Sequence, residues 1–227
     1  MDSSIIILKI TPTYNNFWYK IHTSAGIVQI HIDSLTLYKI EKGKSISQEQ
    51  FHHLYILFLI GKIKEKTLRK LAVKARSLKE LKQSIKESIY KLTKEENKTI
   101  NTQEYDEIEK QTLNFLNKHN YIDDYKYAEL LINKLSSGRK PKGKNYIYSY
   151  LHTKGIDSEA INHLLKTIEE NDSESELLKA QMLIKKFASR KKFLTADHEK
   201  KKSIGLRYLA TQGFSFDICL QALKDYL

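Results

Sequence analysis

The segment Tyr150-Leu151-His152-Thr153-Lys154-Gly155-Ile156-Asp157 returns with its chemistry kept as Tyr208-Leu209-Ala210-Thr211-Gln212-Gly213-Phe214-Ser215. Each copy has an aromatic–Leu pair, a glycine four residues after the leucine, an apolar residue and a capping side chain. Glycine suits the left-handed conformation in which helices commonly end, and Asp or Ser then accepts a free N–H of the next helix. Beyond the cap, Ile161, Leu164 and Leu165 in one copy match Cys219, Ala222 and Leu223 in the other. A third copy runs from Phe115-Leu116 to Asn120, where Asn takes the turn position. After one inserted residue Asp123 caps, and Tyr127, Leu130 and Leu131 fill the apolar offsets. A degenerate fourth passes through Leu71, Ala75 and Ser77 to Leu81 and Ile85. A helix–turn–helix unit cannot bury its apolar stripe alone, so successive units must stack into an elongated array.

The first 45 residues read differently. Ile5 to Ile10 is rich in β-branched residues, and Pro12 with Asn15-Asn16 marks a turn. Phe17 to His22 follows, then a turn at Thr23-Ser24-Ala25-Gly26, then Ile27 to Ile32 with polar residues two apart, as in a half-buried strand. A three-stranded β-meander ending near Asp33 is expected. Asp33 then caps a short helix that Lys42-Gly43-Lys44 ends. Ser47-Gln48-Glu49-Gln50 has the capping-box form and opens an apolar helix to Ile60; Ser77-Leu78-Lys79-Glu80 opens another to about Lys94. With two prolines and eight glycines in the chain, little interrupts regular structure, and a 41% hydrophobic fraction supports a core.

A net charge of +12 draws polyanions, either nucleic acid or acidic membrane surfaces. The charge is segregated. Lys62 to Lys94 holds twelve Lys/Arg against three Glu. Leu131 to Ile156 holds no acid but includes Lys134, Arg139, Lys140, Lys142, Lys144 and Lys154. A third cluster includes Lys185, Lys186, Arg190, Lys191, Lys192 and Lys200 to Lys202, and acidic stretches (Glu95 to Glu109, Glu169 to Glu176) lie between the clusters. On an extended array the three could line one face and follow a nucleic-acid backbone. A solvated helix face explains Lys62 to Lys94 equally well. Arg139 to Lys144 sits on a glycine-containing linker, where loops carry function.

Other chemistry finds little support. Gly138-Arg139-Lys140-Pro141-Lys142-Gly143-Lys144-Asn145 approaches a phosphate-binding loop, but Asn145 replaces the metal-ligating hydroxyl and the segment lies between helices rather than after a strand. A basic hinge that touches phosphates fits better. His52 and His53 are adjacent, and His119, His152, His163 and His198 share no ligand spacing. Asp123-Asp124 could suggest a metal-dependent nuclease, yet acids at a helix N-terminus cap it and complement its dipole. The lone Cys219 falls in an apolar pattern and reads as core. Tyr146 and Tyr148 are candidates for base stacking, whereas Tyr150 belongs to the repeat. Met1-Asp2-Ser3-Ser4 lacks a basic signal region and the apolar run Phe51 to Ile60 is too short to span a bilayer, so a cytoplasmic chain without membrane contact is expected.

Several of these segments resemble the RecX family of recombination regulators. Phe115 to Leu131, with Tyr121-Ile122-Asp123-Asp124 before Tyr127-Ala128, looks like its central motif. Gly143, Ile147, Leu151 and Lys154-Gly155-Ile156 look like the next helix and turn, and Tyr208 to Ser215 like the final Gly-Phe turn. Ser77-x-x-Glu80-Leu81 resembles the first repeat. Two departures stand out: Lys144 follows Gly143 where many members have Gly-Pro, and the linker is Lys-rich rather than Arg-rich. The resemblance implies tandem three-helix repeats in an elongated, curved array, here residues 46–110, 111–168 and 169–227, after an N-terminal extension of residues 1–45. It implies binding in the groove of the filament that RecA forms on single-stranded DNA, with double-stranded DNA as a second ligand. It further implies modulation, mainly inhibition, of RecA in recombination, repair and the SOS response. No enzymatic activity, cofactor or metal is expected, and a monomer is. The contacts are expected from Arg139, Lys140, Lys142 and Lys144, then from Lys74, Arg76, Arg190, Lys191, Lys192 and Tyr146. A nucleic-acid-binding module acting without RecA is the alternative.

Overall fold

The structure is a computed structural model and describes residues 4–14, 17–171 and 176–227; the side chains of residues 168–171 and Lys192 also lie outside the described set. The expected Asn15–Asn16 turn therefore falls outside the described residues. The chain is mainly helical with a small N-terminal sheet. It divides into two compact units, one of residues up to Arg76 with Glu80–Ile122, the other of Ser77–Lys79 with Asp123–Leu227.

The first unit opens on strands β1 (Ile5–Pro12), β2 (Trp18–Thr23) and β3 (Gly26–His31), antiparallel as the turns require. They form the expected meander, to which a fourth strand of two residues, β4 (Ser45–Ile46), is added. It pairs with Ile5 and Ile6, giving the order β3-β2-β1-β4. Two residues carry no alternation, so nothing in the sequence marks them as a strand. Helix α1 (Ile32–Leu37) is capped not by Asp33 but by His31, whose Nδ1 accepts the Asp33 N–H at 3.4 Å. Its end at Tyr38 comes before the Lys42–Lys44 stop expected from the sequence.

Helix α2 (Gln48–Val73) starts at the expected Ser47–Gln50 capping box but runs well past Ile60. Its apolar stripe thins rather than stops, because Ile63 and Thr67 stay buried one turn apart among lysines. One face of the sheet, through Ile7, Ile21, Val28 and Ile30, shares a core with α2. Trp18 lies edge-on to Phe58, and its indole sits so close to Gly61 that a Cβ there would meet it at 2.6 Å. Helices α3 (Leu78–Glu95) and α4 (Thr102–Lys118) add Ile85, Ile89, Leu92 and Ile108 to this core. Asn101 caps α4 in a reciprocal box with Glu104, whose carboxylate also receives His52 Nε2 from α2 at 2.6 Å.

In the second unit α5 (Asp124–Ser136), α6 (Lys144–Thr153) and α7 (Ser158–Asn171) enclose Tyr127, Ile132, Ile147, Leu151, Ile161 and Leu164. Helices α8 (Glu176–Ala188), α10 (His198–Thr211) and α11 (Phe216–Leu223), with the short α9 (Lys191–Leu194), enclose Leu183, Ile184, Phe193, Leu209, Phe214 and Leu223. Cys219 is buried here, and burial raises its thiol pKa. The first turn of α3 belongs to this unit. There the Asp124 carboxylate accepts the Leu78 N–H at 2.7 Å, and Ser77 Oγ donates to the Lys154 carbonyl at 2.7 Å.

The repeat turns close as their sequence requires. Asn120, Gly155 and Gly213 have φ of 55°, 82° and 91°. At each, the next residue's N–H reaches the carbonyl five positions back: Tyr121 to Leu116, Ile156 to Leu151, Phe214 to Leu209. This is the six-to-one bond of a left-handed helix stop. Asp123, Asp157 and Ser215 then accept N–H groups of the following helix. The fourth copy departs: α2 ends at Lys74 with φ −157°, extended backbone that needs no glycine.

Candidate nucleic-acid interface

The expected site residues separate into two kinds. Lys142 and Lys144 have partners within the protein, Lys142 half-buried and Lys144 exposed. Pro141 and Gly143 are buried. Lys142 Nζ donates to Gln212 Oε1 at 2.6 Å and lies 4.5 Å from the Tyr146 ring. The Lys144 N–H donates to Glu176 Oε1 at 2.9 Å, and its ammonium stands 3.8 Å from the same carboxylate. The Gly143 N–H donates to the Gln212 carbonyl and the Asn145 N–H to that of Gly213. A Cβ on Gly143 would fall 2.4 Å from the Gly213 oxygen, and one on Gly213 would fall 2.3 Å from Tyr146 N. The segment expected to be a basic hinge is thus a docked strap over the final repeat turn. Its likeness to a phosphate loop ends here too. A carboxylate occupies the α6 N-terminus where a phosphate would have to sit, and helix α5 precedes it.

Tyr146 is likewise committed. Its ring stacks on Tyr150 at 6.2 Å with planes 10° apart and receives Lys142. Tyr148 stacks on His152. Both are half-buried, which leaves little face for a base.

Arg139, Lys140, Arg190 and Lys191 are the second kind. All four are exposed, and among the described residues no carboxylate pairs with their side chains. Lys186 Nζ, at the end of α8, donates to the Arg139 carbonyl at 3.4 Å, which draws the linker to the α8–α9 turn. Arg190, one turn beyond Lys186, lays its guanidinium 4.9 Å from the Phe187 ring. Two basic clusters far apart in sequence therefore touch at Lys186 and Arg139, and Lys185 and Lys186 are exposed. Neither lysine stood among the expected contacts; the absence of nearby acids at 185–191 was the signal for them. The Lys192 side chain lies outside the described residues.

Lys74 and Arg76 lie in the first unit. Lys74 is exposed, whereas Arg76 is half-buried and its Nε finds no hydrogen-bond partner among the described residues. The suspected nuclease pair is spent on capping: Asp123 accepts the Lys126 N–H at 2.8 Å and Asp124 that of Leu78. Among the described residues no cluster of His, Cys, Asp and Glu could hold a metal, and no helix is long and apolar enough to cross a membrane.

No family model matches the chain. It is 28% identical over 194 residues to the regulatory protein RecX of Clostridioides difficile (strain 630), covering 84% of this chain and 80% of that one. It is 33% identical over 129 residues to that of Clostridium botulinum, 56% and 57% of the two chains. For Bacillus licheniformis the figures are 27% over 199 residues, 86% and 67%. A crystal structure of a regulatory protein RecX superposes with a TM-score of 0.65 over 94% of this chain and 96% of that one, at 19% identity. That of RecX from Lactobacillus salivarius gives 0.55 over 74% and 96%, at 23% identity. Over most of its length the chain is thus similar to regulatory proteins named RecX, and it has the fold of the solved RecX structures.

Proposed function

We propose that this chain is a regulator, mainly an inhibitor, of RecA-mediated recombination and repair. In this reading it performs no chemistry of its own and docks in the groove of the filament that RecA forms on single-stranded DNA. The observation that carries this is the patch of Arg139, Lys140, Lys185, Lys186, Arg190 and Lys191, joined by the Lys186–Arg139 hydrogen bond and free of ion-pairing carboxylates among the described residues. Unpaired exposed cations are those that displace counterions from a phosphate backbone, which ties affinity to salt. Lys142, through Gln212, helps to hold the linker on the Gly213 turn.

The test is co-sedimentation with preassembled RecA–oligo-dT filaments. The variant Arg139→Ala/Lys140→Ala/Arg190→Ala/Lys191→Ala keeps its fold and binds at least tenfold more weakly at moderate salt. Undiminished binding by a folded variant removes the patch from the interface.

A further inference from the structure

A second surface, in the first unit, has the chemistry of single-stranded nucleic acid. Lys82, Lys86, Tyr90 and Lys94 recur every fourth residue along α3, so they form one stripe with neighbours about 6 Å apart along the axis. All four are exposed, and Tyr90 keeps 68% of its surface accessible. The ring stands between Lys86 and Lys94 on the stripe and lines a groove beside it.

The acids of α3 do not neutralise this stripe. Glu87 and Glu95 occupy the adjacent one, Gln83–Glu87–Lys91–Glu95, and are engaged within it, while Glu80 stands in the first turn of the helix. Gln83 donates to Glu87 at 2.8 Å, and Lys91 lies 3.9 Å from Glu95. Among the described residues no carboxylate pairs with Lys86 or Lys94. The stripe borders a groove of about 600 Å³ between the second half of α3 and the start of α4, closed at one end by the chain from Lys98 to Asn101. Lys98 adds a third cation, poised 4.2 Å from the Tyr55 ring. Tyr105 and Ile100 give apolar wall, and no acidic residue lines the groove.

We propose that this groove binds single-stranded nucleic acid, a base stacking on Tyr90 while Lys86, Lys94 and Lys98 contact phosphates. An acidic peptide would satisfy the lysines but leave the exposed ring between them unused. A duplex would present phosphates while its bases stayed stacked inside. A splayed single strand uses both features at once.

The test needs no recombinase, so it stands or falls apart from the filament reading. Full-length chain is titrated into fluorescein-labelled oligo-dT, an abasic oligomer of equal length and a duplex, across a range of salt. Tyr90→Ala weakens oligo-dT binding about fivefold or more, Tyr90→Phe restores it, and the abasic oligomer does not distinguish the three. Lys86→Ala/Lys94→Ala/Lys98→Ala lowers the slope of log affinity against log salt by about 2, at roughly 0.7 per lost phosphate contact on a single strand. Circular dichroism verifies that each variant is folded. Oligo-dT binding unaffected by both sets of substitutions overturns the proposal. So does a loss that is equal on oligo-dT, abasic oligomer and duplex, which would mark a general cationic surface.

Discussion

At the scale of single residues, the turn positions show how much one backbone angle decides. Gly155 and Gly213 were legible because only glycine adopts a positive φ without crowding its own carbonyl, and both do so. Asn120 was legible as the residue that most often replaces glycine there, and its φ of 55° agrees. Asn120→Ala should therefore cost about 1 kcal/mol of stability and Asn120→Gly close to nothing, read as denaturant midpoints at constant m-value. Equal midpoints for Ala and Asn would mean the turn tolerates either conformation. Gly143 was legible only in part. Its place in a glycine–lysine run suggested an open loop, yet it is glycine because the Gly213 carbonyl lies where a Cβ would be. Close approach of two backbones distant in sequence leaves no local pattern.

At the scale of elements, boundaries followed from capping chemistry and lengths did not. Ser47, Asn101, Asp123, Asp197 and Ser215 each accept an N–H at the start of a helix. The end of α2 was harder to read, since Ile63 and Thr67 continue the buried face through a run of lysines that resembles a loop in composition. The α2–α4 pair also carries a titratable link. Burial works to raise the Glu104 pKa, but the Asn101 N–H and the His52 ring outweigh it, so the folded value lies below the ordinary carboxylate range. A depressed folded pKa contributes stability that is complete above the unfolded value, near 4, and is lost as pH falls through the folded one. Wild-type thermal midpoint should fall on acidification below about pH 4 more steeply than that of Glu104→Gln, which keeps the acceptor for Asn101 but has no proton to gain. Parallel acid limbs for the two proteins would show that Glu104 contributes nothing there.

At the scale of the whole molecule, the sequence marked which clusters were basic but not which lysines were free. Lys142 and Lys144 looked equivalent to Arg139 and Lys140 in the linker. Lys142 contacts Gln212 and Tyr146 and the exposed Lys144 pairs with Glu176, whereas Arg139 and Lys140 have no carboxylate partner among the described residues. The contacts with Gln212 and Glu176 join residues some 30 to 70 positions apart, beyond the reach of any spacing argument. The same holds for the union of Arg139 with the α8–α9 turn through Lys186.

The proposed regulation of RecA is tested most directly by RecA ATP hydrolysis on single-stranded DNA, with the chain added below one copy per RecA. The account predicts that wild-type chain suppresses hydrolysis at such ratios. It also predicts that Arg139→Ala/Lys140→Ala/Arg190→Ala/Lys191→Ala needs at least tenfold more protein for the same effect. Hydrolysis unchanged by wild-type chain at such ratios would contradict it and leave a nucleic-acid-binding protein that acts without RecA.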